Sequence, residues 1–177
     1  MPAHTQPHKL TEEDPGPQHR LRMSELLVDG SDRLSSCALE IDRGGPSYTV
    51  DTLNAIHASH PDAELTFILG ADTASTLAAW REPAKLLELA DLAVAAREGS
   101  ARREVLDTVA WLGDRAREDR PGEARVRFLD MPLMEVSSSE ARRRASRGEP
   151  IDDLVGPAVA GYIDEHRLYR QVAGEES

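Results

Sequence analysis

The chain has 177 residues, of which 40% are hydrophobic and only 4% aromatic. That length suits one α/β domain and is too short for two domains of ordinary size, so we expect a single domain over residues 1–170 and a polar tail over 171–177. A formal net charge of -11 argues against a protein that coats nucleic acid, because phosphate backbones are bound by an excess of Lys and Arg.

The same composition bears on the compartment. No apolar run approaches the roughly 18 residues of a membrane span, and the N-terminus, MPAHTQPHKL, lacks the hydrophobic core of a signal peptide. The single cysteine, Cys37, excludes an internal disulfide and a cysteine-based metal cluster, and we expect it to be buried in a strand. These features predict a cytoplasmic protein with neither a membrane nor a nucleic acid as partner.

The first part of the chain predicts a loop, a helix and a strand. Residues 1–16 are rich in Pro, His and acids, which is typical of an irregular loop. A helix is predicted to begin near Pro17 and to be closed by Gly30. A short strand is predicted over residues 35–41.

A turn at residues 44–48 leads into a second helix, for which Ser47 or Thr49 supplies the cap. The clearest strand follows at residues 65–70, a short apolar run that ends in Gly70-Ala-Asp72. A short apolar run with such an ending is typical of a buried parallel strand that leads into a ligand-facing loop.

Two further apolar runs, at residues 91–97 and 125–131, are separated by a predicted helix over residues 102–118. Strands therefore alternate with helices. This alternation favours a parallel, doubly wound α/β sheet, in which ligands bind beyond the carboxyl ends of the strands.

The segment Val136-Ser-Ser-Ser-Glu-Ala-Arg142 follows a predicted strand and opens a helix. Ser137 and Glu140 have the spacing of a capping box, which would make the segment an ordinary helix start. The alternative is an anion site, because free amides, hydroxyls and Arg142 would converge at the positive end of the helix dipole. From these residues alone both interpretations stay open.

Basic and histidine residues near the N-terminus are ambiguous. His8 and Lys9 form either a mobile basic finger or a solvated turn. His4, His8 and His19 lack a carboxylate at a convincing metal-ligand spacing, so a metal-hydrolase site is rejected. The serines at 137–139 lack the G-x-S-x-G setting of a nucleophile.

The two tryptophans have different settings. Trp80 lies between two predicted helices near a strand end, where it is either a core residue or a platform for a flat heteroaromatic ring. Trp111 lies inside an amphipathic helix, and we expect it to serve packing only.

Taken together, these segments resemble the bacterial nicotinate-mononucleotide adenylyltransferases, which belong to the nucleotidyltransferase superfamily and have a Rossmann-like fold. Each block is weak by itself, whereas the ordered set is specific and covers nearly the whole chain. In order, the matching blocks are residues 2–9 with 19–23, residues 46–49, residues 67–72 with Trp80, residues 136–142 and residues 162–169.

The resemblance implies that a phosphate oxygen of nicotinate mononucleotide attacks the α-phosphorus of ATP, which releases pyrophosphate and leaves nicotinate adenine dinucleotide. Mg²⁺ would bridge the triphosphate. By resemblance, Ser137, Ser138 and Arg142 hold the ATP phosphates, and His8 and Lys9 close over them. Of these, His8, Lys9 and Arg142 would be catalytic.

The resemblance also implies which residues bind the pyridine nucleotide. Trp80 would stack on the pyridine ring, with Thr49 and the backbone around Arg81 near its carboxylate. Gly70 and Asp72 would approach the ribose, Asp72 as a hydroxyl acceptor. A homo-oligomer is left open.

One departure from the family pattern limits these expectations. Members begin with a strand and a Gly-Gly-Thr-Phe-Asp-Pro-x-His-x-Gly-His turn, to which nothing in this sequence corresponds. The expectation is therefore that Met1 is an internal start. The alternatives are a non-catalytic nucleotide-binding remnant, and an adenylyltransferase for another phosphate ester such as phosphopantetheine.

Overall fold

A computed structural model describes residues 1–5, 14–95, 101–116, 126–129 and 137–170. The chain divides into two compact units. One is formed by Met1–Ser47 together with Met134–Ser177, and the other, which we call the sheet unit, is formed by Tyr48–Leu133. We call the first the helical unit. Each has its own hydrophobic core, and the expectation of a single domain stays a prediction.

The described part of the sheet unit contains three parallel strands, in the order β1-β2-β3. They are β1 (Thr66–Gly70), β2 (Asp91–Ala95) and β3 (Val126–Leu129). In the central strand β2, Leu92 and Val94 are fully buried on one face and Ala93 is buried on the other, as expected for an apolar run covered on both faces. All three strands lie within the apolar runs of the sequence, and the prediction of a parallel α/β fold is confirmed.

Helices cover the sheet and join its strands. The sequence of helical elements in this unit is α3 (Thr49–Ser59), α4 (Ala71–Ala74), a 3₁₀ turn (Leu77–Ala79), α5 (Pro83–Leu89) and α6 (Ala101–Ala116). Helix α5 packs against both α3 and α6. The core is aliphatic, as the low aromatic content requires, and its fully buried side chains include Leu77, Leu86, Val105 and Leu112.

The helical unit contains α1 (Pro17–Val28), α2 (Leu39–Arg43), α7 (Ser138–Ser146), α8 (Asp152–Val155) and α9 (Pro157–Glu165). The predicted start of α1 at Pro17 is confirmed. Helix α1 packs on α9, where Met23 and Leu26 lie against a buried cluster that includes Val159 and Ile163. This cluster is the smaller of the two cores.

Arg20 ties the N-terminal residues to α1. Its guanidinium donates hydrogen bonds to the backbone carbonyls of Ala3 and His4, and its Nε lies 3.0 Å from an Asp14 carboxylate oxygen. The segment also forms a parallel bridge between Thr5 and Pro46. Three acceptors on one guanidinium hold this segment in place.

Two expectations about local structure are wrong. Residues 34–38 form no strand and α2 begins at Leu39, because Ala38, Leu39 and Glu40 are good helix formers. Cys37 is consequently exposed rather than buried in a strand. Trp111 is 47% exposed on α6, and its expected role in packing stays a prediction.

No helix within the described ranges is both long and apolar enough to cross a membrane.

Candidate functional site

Trp80 follows the 3₁₀ turn beyond the carboxyl end of β1. Its ring meets Phe67 of β1 edge-on, with 6.1 Å between the ring centroids. The indole Nε1 donates a hydrogen bond to Thr76 Oγ1 at 3.2 Å. The ring packs against the core but is only half-buried, and its use as a platform for a flat ring stays a prediction. An anchored, partly open indole is suited to stacking against a flat ligand.

Arg81 connects this loop to the start of α3. Its guanidinium lies over the ring of Tyr48, 4.8 Å from the centroid, and its Nη1 is 3.3 Å from Asp51 Oδ2. Tyr48 is the N-cap residue of α3 and Thr49 its first residue. The structure therefore brings Arg81 next to the residues that flank Thr49. We call Tyr48, Thr49, Asp51, Trp80 and Arg81 the Trp80 corner.

The expected cap of α3 does not form. The helix has no side-chain cap, and Ser47 Oγ instead accepts a hydrogen bond from the His4 backbone N–H at 2.9 Å. The backbone amides in the first turn of α3 thus receive no hydroxyl from Ser47 or Thr49. Such amides suit a carboxylate.

A strained turn follows Arg81. Glu82 has φ 47° and ψ 56°, the left-handed region, although it is not glycine. A residue before proline is normally extended, and Pro83 opens α5 directly afterwards. This conformation costs on the order of 1 kcal/mol or more. The Glu82 Oε1 atom lies 3.7 Å from Arg81 Nε, so the turn also places a second carboxylate, besides that of Asp51, beside Arg81.

Gly70 and Asp72 lie where the sequence places them, at the end of β1 and in the first turn of α4. Both are exposed. A Cβ added at Gly70 would meet nothing within 4 Å, so the protein by itself does not require glycine there. Their approach to a ribose stays a prediction.

Helix α7 begins at the predicted position, with Ser137 as an extended N-cap residue, φ -117° and ψ 127°. The capping box, one of the two alternatives for this segment, does not form, because no side chain caps the helix. Glu140 is instead held by two arginines: Arg143 donates from Nε at 2.8 Å and from Nη2 at 2.6 Å, and Arg144 donates from Nε at 2.8 Å. Charge-assisted bonds of this kind are stronger than a bond to a neutral amide.

These two arginines lower the pKa of Glu140 to about 2, mainly through the hydrogen bonds from Arg143 and then from Arg144. Arg144 also bridges to α8, where its Nη1 lies 3.2 Å from Asp153 Oδ2. Arg142 points to a different part of the helix, since its Nη2 lies 3.5 Å from Ser139 Oγ. Ser137, Ser138 and Ser139 are exposed. Hydroxyls, amides and Arg142 thus share the N-terminal end of α7.

The predicted site residues fall into both units. Thr49, Gly70, Asp72, Trp80 and Arg81 belong to the sheet unit, whereas Ser137, Ser138 and Arg142 belong to the helical unit. His8 and Lys9 lie outside the described residues. Within the described ranges, no group of three His, Cys, Asp or Glu side chains could hold a metal ion.

Two residues of the Trp80 corner, Tyr48 and Asp51, were not predicted as site residues, although Tyr48 lies in the matching block of residues 46–49. Asp51 is 30 positions from Arg81, and nothing local in the sequence indicates their contact. The one available signal was their position beside Thr49 at a helix start.

His19, another histidine of the first block, contacts α9 and the residue that follows it. Its Nδ1 is 2.8 Å from the Tyr162 hydroxyl, and its ring lies 5.4 Å from that of His166. The matching blocks at residues 19–23 and 162–169 thus meet in the packing of α1 on α9.

No family model matches the chain. The chain is 38% identical over 170 residues to a probable nicotinate-nucleotide adenylyltransferase of Salinibacter ruber, which covers 96% of this chain and 80% of the relative. It is 36% identical over 173 residues to the corresponding protein of Thermomicrobium roseum, which covers 97% of this chain and 77% of the relative.

Among solved structures, the fold is similar to that of the Plasmodium falciparum nicotinic acid mononucleotide adenylyltransferase complexed with NaAD. The TM-score is 0.64 at 20% identity, over 94% of this chain and 78% of the other. A structure of the same enzyme complexed with APC has a TM-score of 0.60 at 19% identity, over 86% and 75% of the two chains.

Proposed function

Because this chain belongs to the nicotinate-nucleotide adenylyltransferase family, its reaction is adenylyl transfer from ATP to nicotinate mononucleotide, and we propose that the Trp80 corner receives the pyridine nucleotide. The observation that carries this assignment is the contact of Arg81 with Tyr48 and Asp51. Because Arg81 follows Trp80 directly, this contact places the Trp80 loop beside the start of α3. A ring platform and a helix N-terminus are the two elements that a pyridine carboxylate needs.

In this proposal the indole of Trp80 stacks on the pyridine ring. The Phe67 contact and the Thr76 hydrogen bond fix the indole plane before the ligand arrives, which lowers the entropic cost of binding. Thr49 and the backbone around Arg81 receive the carboxylate, and Gly70 and Asp72 lie beyond the strand end for the ribose. Nicotinate is preferred to nicotinamide because an uncharged amide gains less from the helix dipole.

The ATP phosphates bind at the N-terminal end of α7 in the same proposal. Ser137 and Ser138 supply hydroxyls, the first-turn amides supply N–H donors, and Arg142 supplies positive charge. His8 and Lys9 close over the phosphates. The protein positions the attacking phosphate oxygen and stabilises charge on the α-phosphate, and no covalent enzyme intermediate is required.

The divalent metal enters this proposal as part of the substrate. The described residues contain no cluster of three metal-ligating side chains, so they form no cage for Mg²⁺. Mg²⁺ is commonly held by substrate phosphates with few protein ligands. We therefore assign Mg²⁺-ATP as the nucleotide substrate and the cytoplasm, where ATP is abundant, as the compartment.

The test uses the two tryptophans as internal probe and control. Titration with nicotinate mononucleotide should quench the fluorescence of the wild-type chain and of Trp111→Phe saturably, and Trp80→Phe should abolish the quench. In a pyrophosphate-release assay with Mg²⁺-ATP, Trp80→Ala should raise KM for nicotinate mononucleotide about tenfold, because one stacking contact is lost. KM for ATP should change little.

Equal effects of Trp80→Ala and Trp111→Ala on KM for nicotinate mononucleotide would contradict the assignment of the pyridine site. Saturable ATP binding without pyrophosphate release would support the alternative of a nucleotide-binding remnant. Preferential turnover of phosphopantetheine would support the other alternative acceptor.

A further inference from the structure

Helix α7 carries three consecutive arginines, Arg142, Arg143 and Arg144, immediately after its serine-rich start. Two of them are engaged by one carboxylate, that of Glu140. Glu140 stands in the first turn of the same helix whose N-terminal end is proposed to bind triphosphate. An acidic residue so close to a phosphate site requires an explanation, because it lowers the local positive charge.

Helical spacing separates the three arginines. Residues three or four apart are neighbours on a helix surface, so Arg142 is a neighbour of Ser138 and Ser139, and Arg144 is a neighbour of Glu140. Arg143 has two neighbours in the preceding turn: Ser139 at four residues and Glu140 at three. Its side chain can therefore reach either the serine side of α7 or the Glu140 side.

In the structure Arg143 is turned to Glu140. Both of its bonds, at 2.8 and 2.6 Å, go to the two oxygens of that carboxylate, which is a bidentate geometry. Such a fork-to-fork pair fixes the orientation of the guanidinium as well as its position. Arg144 is held at both ends, by Glu140 and by Asp153 of α8. Arg142 Nη2 lies on the other side, 3.5 Å from Ser139 Oγ.

We propose that Glu140 is a positioning residue, which keeps Arg143 away from the serine-rich end of α7 so that Arg142 is the arginine presented to the ATP phosphates. This inference rests on the proposed binding of ATP phosphates at that end. The consequence concerns release of product. With a second arginine at the site, pyrophosphate would bind more tightly, because the site would carry more positive charge. A tightly held product slows turnover.

The inference predicts a gain of affinity when Glu140 is neutralised. Glu140→Gln should release Arg143 and lower the dissociation constant for magnesium pyrophosphate by about three- to tenfold, the scale of one additional exposed charge contact. Isothermal titration of the 177-residue chain with pyrophosphate measures it. KM for nicotinate mononucleotide should not change, which separates positioning of Arg143 from general damage to the fold.

Two variants make the result specific. Asp153→Asn removes one negative charge from the same cluster but leaves Arg143 with Glu140, so its pyrophosphate affinity should equal that of the wild type. Glu140→Gln combined with Arg143→Gln should return the affinity to the wild-type value. Melting temperatures of all variants, followed by circular dichroism, check that α7 and its unit remain folded.

The outcomes are distinguishable. If Arg142→Gln leaves pyrophosphate binding unchanged, the proposed phosphate site is wrong and the inference falls with it. If Arg142→Gln weakens binding but Glu140→Gln has no effect, the phosphate site stands and the inference is overturned. Equal gains in Glu140→Gln and Asp153→Asn would also overturn it, since they would reflect net charge alone.

Discussion

The Trp80 corner and the N-terminal end of α7 are held by different kinds of interaction. Among the described residues, Trp80 packs against a core cluster of thirteen buried residues in the sheet unit, whereas the core cluster of the helical unit has six. The start of α7 is instead surrounded by ion pairs among Glu140, Arg143, Arg144 and Asp153. The aromatic surface at Trp80 thus depends on packing, whereas the proposed phosphate-binding surface at α7 depends on ion pairs that one substitution can change.

The largest expected effect is on the packing of the sheet unit. Leu92 is fully buried in the central strand, so Leu92→Ala should lower the free energy of unfolding by about 2–5 kcal/mol, through lost burial and the cavity left behind. Urea denaturation followed by tryptophan fluorescence measures it. Leu106→Ala, at a residue 45% exposed on α6, is the control and should change the free energy by less than about 0.5 kcal/mol.

A loss below 1 kcal/mol in Leu92→Ala would mean that packing does not dominate in this unit, and the contrast between the two regions would fail. Because Trp80 packs against the same cluster, Leu92→Ala should also weaken the saturable quench by nicotinate mononucleotide. The pyrophosphate affinity should be less affected.

An intermediate effect is expected in the helical unit, where a polar contact between His19 and Tyr162 joins α1 to α9. Tyr162→Phe removes the hydroxyl that lies 2.8 Å from His19 Nδ1. The expected loss is about 1 kcal/mol, the usual net contribution of one hydrogen bond. Thermal unfolding by calorimetry measures it. Tyr48→Phe is the control, because the Arg81 contact is with the ring and survives the change.

If Tyr162→Phe were as destabilising as Leu92→Ala, the helical unit would depend on its polar contacts more strongly than its smaller core suggests. That outcome would sharpen the contrast. A loss equal to that of Tyr48→Phe would instead show that the Tyr162 hydroxyl contributes little.

The smallest expected effect is a change in stability at acidic pH that depends on Glu140. The pKa of Glu140 is lowered from 4.5 to about 2 in the folded chain, so its stabilising contribution is fully present above about pH 4.5 and is lost as the pH falls toward 2. The difference in urea midpoint between the wild type and Glu140→Gln should therefore be constant from pH 7 to 5 and shrink below 4.5. A difference that grows on acidification would contradict the ion-pair cluster.

Sequence reasoning found the elements whose patterns are local. The three strands are short apolar runs with ends marked by polar residues, and α1 is marked by Pro17 at its start. The strand expected over residues 35–41 failed because its last residues favour helix, and Gly44 provides a C-cap with φ 70°. Local apolar content without a reliable period does not separate the two states.

The site was less accessible to sequence reasoning. Trp80, Thr49 and Arg142 could be named because they stand in recognisable blocks at element ends. The pairing of Arg81 with Asp51 depends on how α3 and α5 pack, and the left-handed turn at Glu82 has no sequence signal. The capping box that the spacing of Ser137 and Glu140 allowed does not form, because two guanidiniums in the next turn compete more strongly for Glu140 than a backbone amide does.

The exposure of Cys37 has a practical consequence for how many chains associate in a sample. A thiol on the surface, in a chain with no second cysteine to pair with, can form a disulfide only with another molecule. Storage in air should therefore produce a disulfide-linked dimer. Dithiothreitol should reduce it to monomer, and Cys37→Ser should not form it. Sedimentation of that variant, or of the reduced chain, would report self-association that owes nothing to oxidation.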